Sequence, residues 1–332
     1  MESIIQNIDF SVGRYSCGYS LFYNIFSNYG YEISETDIYF LGNGMAFDII
    51  PDGKYNFGYS SMKDVILNMK NSITDKIDFY SGDDKKYLEN KMLEEVSAGN
   101  MIALYVYADC LEHHDIKAIR YPFHLLAVYG VDTVRRTAYI GDSYIVNDKG
   151  QASLYMGKAD LDKIMSSTKE FAVFKNTGKV DISRKTVFDS VLNSINVFLN
   201  YEYKDGLLIG NSGLKKFVRD IDELVRFNEP IFNQYHENIA AALKWISLGP
   251  MMKNIMNLFD ENEELRVKDY EMIIDEFQKI ESEWIKFSLN IIKLGYSPKK
   301  DKIGVIIENC NNLIGRQESA LAGLYEHIKT SA

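Results

Sequence analysis

The hydrophobic pattern of this 332-residue chain changes its period near residue 180, and this change most limits the folds that the chain can adopt. Before it, short apolar runs typical of strands alternate with helical segments. After it, apolar residues recur at a period near 3.6, as along Val187, Val191 and Ile195. The chain is therefore predicted to be α+β, with a mixed domain at residues 1–180 and an all-α bundle at residues 181–332.

The mixed part is predicted to place helices around an antiparallel sheet. Cys17 begins a helical pattern that ends at Gly30, and Ser34 with Asp37 resembles a capping box that opens a second helix. Further helices are predicted at residues 61–69, 84–96 and 159–165. The predicted strands are residues 77–80, 101–107, 122–131, 137–142, 152–156 and 171–174.

The second part is predicted to hold helices at residues 231–247, 267–293 and 303–327, and a further helix with Ser212 as its N-cap. Breaks are expected at residues 211–213, 248–250 and 295–298, where glycine and proline occur.

Composition excludes several classes of protein. The formal charge is −10 with basic residues scattered over both parts, so nucleic-acid binding is not expected. No apolar run is long enough to cross a membrane, and the start lacks the pattern of a secretory signal. The three cysteines, Cys17, Cys110 and Cys310, have no disulfide-like spacing, so a reducing cytoplasm is the expected compartment.

Three residues of the first part form a candidate site for cysteine chemistry. Cys17 is predicted to begin a helix, where the helix dipole and free N–H groups favour its thiolate. His124 lies early on a predicted strand and Asp142 ends the next one, so a hairpin can bring them side by side. A catalytic cysteine needs an ionised thiol, a base and a group that holds the base. We therefore predict Cys17 as nucleophile, His124 as base and Asp142 as the residue that orients His124.

Each of these residues also has a structural explanation. A cysteine in an apolar helix is often simply buried, and a histidine in an apolar strand is often a core residue. An aspartate followed by serine, as at Asp142, often starts a turn. A non-catalytic binding module therefore remains an alternative to an enzyme.

Other conspicuous residues are assigned to structure. Cys110, His113, His114 and Asp115 are predicted to form a solvated loop rather than a metal site. They lack a second spaced pair of ligands, and consecutive histidines on a strand point apart. The turn at residues 42–44 is too short for a phosphate loop. The residues expected in the helical core are Trp245, Trp284, Met251, Met252 and Cys310.

The motifs around the candidate site resemble a known family. The segment from Ser16-Cys17-Gly18 through Gly30, Ser34-Glu35 and Gly42-Asn43-Gly44 resembles the opening of the butirosin biosynthesis protein H (BtrH-like) family. The strands that carry His124 and Asp142 are similar to the later blocks of that family. The chain also resembles bacteriocin-leader peptidases, which implies a papain-like fold for residues 1–180 followed by a helical domain.

The resemblance implies amide-forming acyl transfer rather than proteolysis. Cys17 is expected to take an acyl group from the phosphopantetheine thioester of an acyl or peptidyl carrier protein and to pass it to a small amine. No bound cofactor is implied, since the phosphopantetheine belongs to the donor. A cysteine peptidase or amidase, and a module that binds a carrier or peptide without catalysis, are the alternatives.

Two details of the implied mechanism depend on single residues. Papain-like enzymes commonly place a glutamine in the oxyanion hole shortly before the cysteine, and here the nearest is Gln6, eleven residues upstream. A carrier protein is acidic, so docking needs a local basic patch. The residues expected to supply that patch are Lys117, Arg120, Arg135 and Arg136.

Overall fold

The computed structural model describes residues 2–14, 16–47, 62–73, 76–114, 123–146, 151–176, 182–204, 207–245, 247–296 and 300–331. The chain forms two compact units. One consists of Met1–Ile38 with Ile66–Ile182, and the other of Tyr39–Val65 with Ser183–Ala332. The second unit thus includes a segment that lies within the predicted first domain.

The first unit is built on one antiparallel sheet. Its strands run in the order β2-β7-β3-β4-β5-β6, and β1 pairs with the end of β4. The predicted strands are confirmed, although β5 and β6 extend four residues beyond their predicted ends and β1 was not predicted. The strands are β1 (Glu2–Ile4), β2 (Ile77–Ser81), β3 (Met101–Tyr107), β4 (Phe123–Asp132), β5 (Thr137–Val146), β6 (Ala152–Asp160) and β7 (Glu170–Phe174).

Among the described residues, the helices that precede or interrupt these strands are α1 (Cys17–Asn28), α2 (Glu35–Leu41), α3 (Met62–Ser72), α4 (Lys85–Ser97) and α5 (Leu161–Ser167). The predicted capping box of α2 is confirmed. The Ser34 N–H donates to Asp37 Oδ2, and the Asp37 N–H donates to Ser34 Oγ, each at 3.0 Å. Helices α4 and α5 pack with β3, β4 and β5 in one apolar cluster. The architecture is therefore α+β, as predicted.

Helix α1 is held against the sheet along its apolar face. Leu21 and Phe22 are fully buried, and the helix packs on β3, β4 and β5. At its C-terminal end, the Tyr29 hydroxyl donates to the Phe174 carbonyl at 2.9 Å and accepts from the Met101 N–H at 2.6 Å. These contacts fix the position of α1, and hence of its first residue, relative to the central strands.

The second unit is mainly helical. Two strands of two residues each, β8 (Tyr203–Lys204) and β9 (Leu207–Leu208), pair in it, so the all-α prediction misses this small sheet. The helices are α6 (Arg184–Asn200), α7 (Gly210–Phe227), α8 (Glu229–Trp245), α9 (Leu248–Glu261), α10 (Tyr270–Tyr296) and α11 (Lys300–Ser331).

Two local predictions for this unit are wrong. Ser212 does not cap α7, since the N-cap is Ile209 and Ser212 lies within the first turn. Residues 248–250 are predicted as a break, but helix α9 begins at Leu248 and has Gly249 and Pro250 in its first turn, because proline's missing N–H costs nothing there. Within the described residues, no helix has the length and apolar content needed to span a bilayer.

The predicted core residues of the helical unit are buried where the structure describes them. Trp284 donates its indole N–H to Gln317 Oε1 at 2.7 Å, which satisfies both polar groups inside the core. Met251 and Met252 are buried, and burial raises the pKa of the Cys310 thiol. The side chain of Trp245 lies outside the described residues.

Candidate active site

Cys17 is the first residue of α1, as predicted. Ser16 is the N-cap in an extended conformation, and its Oγ accepts from the Tyr19 N–H at 3.3 Å. The N–H groups of the first turn have no acceptor within a helix, and the helix dipole adds positive potential there. The Cys17 thiol therefore lies where a negative charge is favoured.

His124, near the start of β4, connects Cys17 to Asp142. Its Nε2 lies 2.8 Å from Asp142 Oδ1, which leaves Nδ1 as the ring nitrogen for the sulfur. The His124 side chain and the Leu125 backbone N–H both lower the pKa of the Cys17 thiol, so both groups lie beside the sulfur. The structure thus brings the three predicted side chains together, with His124 hydrogen-bonded to Asp142 and next to Cys17, an arrangement that suits a cysteine nucleophile.

Asp142 lies inside β5 rather than at its end. The strand continues to Val146, with an irregular register after Asp142, so the prediction that the strand ends there is wrong. The carboxylate is fully buried. Its neighbour Gly141 faces Phe10, whose ring lies where a Cβ at residue 141 would stand. The bulk of Phe10 thus packs directly over the backbone beside Asp142.

His113 and His114 also belong to this site, which the sequence interpretation missed. Their Nε2 atoms lie 3.0 and 2.7 Å from Asp142 Oδ2, and their side chains are only 9% and 8% exposed. The prediction of a solvated loop is wrong for these two residues. They follow the 3₁₀ turn Ala108–Cys110 in a further turn rather than a strand, so consecutive side chains are not forced to opposite sides.

The charges of the three central residues are coupled. Burial raises the pKa of Cys17, but the hydrogen bond and charge of His124 outweigh it, and the thiol pKa falls below its usual value. Burial opposes the imidazolium, yet Asp142 and Cys17 raise the pKa of His124 to about 10. Burial likewise opposes the carboxylate, but the three imidazoles hold the pKa of Asp142 well below its usual range. A thiolate–imidazolium pair is therefore the favoured state at neutral pH.

Removal of the His124 side chain tests this assignment of charge. We expect the rate of Cys17 alkylation by iodoacetamide to rise with a midpoint below pH 9.0 in the wild type. In His124→Ala the midpoint moves above 9.0, because burial and the Asp142 charge remain and both raise the thiol pKa. A midpoint left unchanged by His124→Ala contradicts the pairing.

The segment before Cys17 is fixed by side chains of α1 and α2. Asn24 Oδ1 accepts from the Ser11 N–H at 2.7 Å, and buried Glu35 accepts from the Arg14 N–H and from Ser20 Oγ. Between them, the Gly13 N–H donates to the Ser143 carbonyl at 2.6 Å. The approach is so close that a Cβ at residue 13 would lie 2.0 Å from Ser20 Oγ.

We expect Gly13→Ala to lower the free energy of unfolding by about 1–3 kcal/mol, because the added methyl overfills the contact with Ser20. The same change slows Cys17 alkylation, since the segment leads directly into α1. Gly315→Ala is the matched control: a Cβ there meets no atom within 4 Å, and alanine in a helix costs less than glycine. Equal stabilities of the two variants, measured by denaturant unfolding, exclude this role for Gly13.

Gln6, the predicted oxyanion donor, is exposed and donates its amide to the Ile4 carbonyl at 3.4 Å. A role for its side chain in catalysis stays a prediction.

His113, His114 and Asp142 are also a set that a divalent cation can use, since one ligand atom of each lies within 4.8 Å of the others. The hydrogen bonds described above satisfy the same atoms without an ion.

Comparison with known proteins covers the part of the chain that carries this site. Residues 16–143 match the sequence model of a family described as "Butirosin biosynthesis protein H, N-terminal". The match begins one residue before Cys17 and ends one residue after Asp142, so it includes His113, His114 and His124. No curated protein matches the chain. Residues 16–143 of the chain are thus similar to the N-terminal domain of the butirosin biosynthesis protein H family, which supports a BtrH-like protein.

Proposed function

We propose that this protein is a cysteine-dependent acyltransferase of natural-product biosynthesis, which moves an acyl group from a carrier-protein thioester to an amine. The observation that supports the proposal is the buried His124–Asp142 hydrogen bond beside Cys17, within the segment that matches the butirosin biosynthesis protein H family. Three free thiols among the described residues suit a reducing compartment such as the cytoplasm.

In the first step, the Cys17 thiolate attacks the thioester carbonyl of the donor. The carbon–sulfur bond to phosphopantetheine breaks, and the departing thiolate takes the proton of the His124 imidazolium. The products are acyl-Cys17 and the free phosphopantetheine thiol. One thioester replaces another, so the step is nearly isoenergetic and needs no activated co-substrate.

In the second step, an amine attacks the acyl-Cys17 carbonyl. Neutral His124 accepts a proton from the amine through Nδ1, while Nε2 keeps its hydrogen bond to Asp142. The sulfur leaves as thiolate, which restores the original ion pair and releases an amide. Because an amide is more stable than a thioester, this step runs downhill without ATP.

Both steps pass through a tetrahedral intermediate with a negative oxygen. The backbone N–H groups at the start of α1 are donors for this oxygen, because they have no acceptor within the helix. We place the oxyanion beside the Cys17 N–H on this ground. In this position the start of α1 stabilises both the Cys17 thiolate and the oxyanion.

An acidic carrier protein needs basic residues near the site for docking. Of the basic residues expected to form a patch, Arg136 pairs with Glu89 at 2.5 Å and with Asp162, while Arg135 lies 3.8 Å from Asp132 and is 73% exposed. Lys117 and Arg120 lie outside the described residues. Arg135 is therefore the described residue of this set best suited to contact an acidic carrier.

The test is intact-protein mass spectrometry after mixing the full-length protein with acyl-carrier thioesters of different acyl groups. A mass increment of one acyl group, located on Cys17 by peptide mapping and lost on addition of an amine, supports transfer. The amide then has the combined mass of acyl group and amine.

Release of free acid without an amine, or cleavage of a leader peptide, indicates the hydrolase alternative instead. Absence of any adduct on Cys17, together with an iodoacetamide reactivity no higher than that of Cys110, points to a binding module. Cys110 is a suitable reference because burial raises the pKa of its thiol.

A further inference from the structure

Asp142 accepts hydrogen bonds from three imidazoles. His124 from β4 uses Oδ1, while His113 and His114 from the turn after β3 both use Oδ2. A cysteine–histidine–aspartate arrangement needs only the first of these bonds. The two others are extra polar contacts, built from side chains that are nine-tenths buried.

The state of the two histidines follows from the acceptor. The buried carboxylate of Asp142 is ionised, so it has no hydrogen to donate. His113 and His114 must therefore each carry a hydrogen on Nε2 and donate it to Oδ2. Burial lowers the pKa of His114 more than Asp142 raises it, so this ring is neutral and leaves the positive charge on His124.

Ring contacts hold the imidazoles of His113 and His114 in place. His113 stacks on Tyr155 of β6 with centroids 4.1 Å apart and planes within 6°. His114 meets the His124 ring at 4.5 Å in an edge-to-face arrangement, and meets His113 at 4.8 Å. The pair is thus held between β6 and the base, and its two N–H groups have one fixed direction.

From this geometry we propose that His113 and His114 are positioning residues, which lock the Asp142 carboxylate so that Oδ1 faces His124. Without donors at Oδ2 the carboxylate is free to rotate about its last bond, and the His124 ring loses its fixed tautomer and direction. His114 has the larger effect, because its bond is shorter and its ring contacts His124 directly. The proposal rests on the proposed function of Cys17 and His124.

The charged and titratable groups around Cys17 and Asp142 come from every packed element. They are His113 and His114 after β3, His124 on β4, Tyr144 on β5 and Glu35 on α2. Burial, together with the charges of Cys17 and Glu35, raises the pKa of Tyr144 to about 12. Only the histidines contact the Asp142 carboxylate through side chains among the described residues. The effect of a substitution at His114 is therefore transmitted through His124 and measured at Cys17.

The test compares His114→Leu with His114→Gln in the full-length protein, with buffers that contain EDTA. Glutamine carries an amide N–H at a position similar to Nε2 and keeps the bond to Oδ2, whereas leucine removes it. We expect leucine to move the midpoint of Cys17 alkylation upward by about one pH unit, which is about a tenfold slower reaction below the midpoint. Glutamine restores the wild-type midpoint.

Thermal unfolding separates this role from a loss of folded protein, which lowers amplitude without moving the midpoint. If the leucine variant does not fold, His114→Asn replaces it, because its shorter amide does not reach Oδ2. A wild-type midpoint in the leucine or asparagine variant overturns the proposal, as does a glutamine variant as impaired as they are. Wild-type reactivity that EDTA removes and Zn²⁺ restores also overturns it, in favour of a metal at these atoms.

The outcome stays distinct from that of the proposed function. Alkylation needs neither an acyl donor nor an amine, so a depressed wild-type midpoint with no effect of His114 rejects only the positioning role. A wild-type midpoint at or above that of an ordinary thiol rejects the activated Cys17 and with it the function proposed above.

Discussion

Cys17→Ala is expected to abolish acyl loading and to reduce transfer to an amine by at least about 10⁴-fold. In the proposed mechanism the Cys17 sulfur forms the covalent intermediate, and no other described thiol has its surroundings. Cys110 and Cys310 have raised pKa values because they are buried without a histidine partner. The measurement is single-turnover transfer from a carrier thioester, with the acyl adduct followed by mass spectrometry.

Cys110→Ala is the matched control for that change. It removes a half-buried thiol of the same unit, whose contact is the Ser167 hydroxyl rather than an imidazole. Loading and transfer in this variant remain at the wild-type rate. Transfer at the wild-type rate in Cys17→Ala, with Cys110→Ala inactive, assigns the chemistry to Cys110 and refutes the mechanism.

The position of Cys17 could be predicted because it depends on local sequence. A serine before the helix supplies the N-cap, and the apolar residues after it repeat at helical spacing, so the start of α1 follows from a few neighbours. The strand that bears His124 was likewise visible, since β-branched and apolar residues form a run long enough for a buried strand.

His113 and His114 could not be placed in the same way. Their contact with Asp142 depends on a turn after β3 and on a partner nearly thirty residues away in the chain. A pair of adjacent histidines gives no helical or strand period, and side-chain convergence across a sheet leaves no local pattern. The only signal was the rarity of the pair itself: two of the five histidines in the chain stand side by side.

Helix α9 shows a different limit. Its first turn contains a glycine and a proline, which the sequence interpretation took only as the end of the preceding helix. The same residues are also compatible with a helix start, because proline lacks the N–H that a first turn leaves unpaired. Local sequence rules locate the boundary, but the packing of the apolar residues that follow decides whether a new helix begins there.

Asp142→Asn is expected to lower kcat/KM for acyl transfer by about 10⁴-fold while the fold is retained. The carboxylate accepts N–H groups on both oxygens, and an asparagine offers only one acceptor oxygen. Its NH₂ group must then face an imidazole N–H or force a ring into the other tautomer. For His124 that tautomer puts the hydrogen on Nδ1, where it blocks acceptance of a proton from Cys17 or from the amine.

The Cys17 alkylation midpoint rises in the same variant. Loss of the Asp142 charge alone favours the thiolate, but the hydrogen bond and charge of His124 lower the thiol pKa by more than Asp142 raises it. Asp132→Asn is the matched control, since this buried carboxylate accepts from the Val134 and Arg135 N–H groups and contacts none of the three site histidines. Asp132→Asn is expected to lower the free energy of unfolding and to leave the Cys17 alkylation midpoint unchanged. An Asp142→Asn variant that transfers acyl groups at the Asp132→Asn rate shows that His124 needs no carboxylate to act as the base.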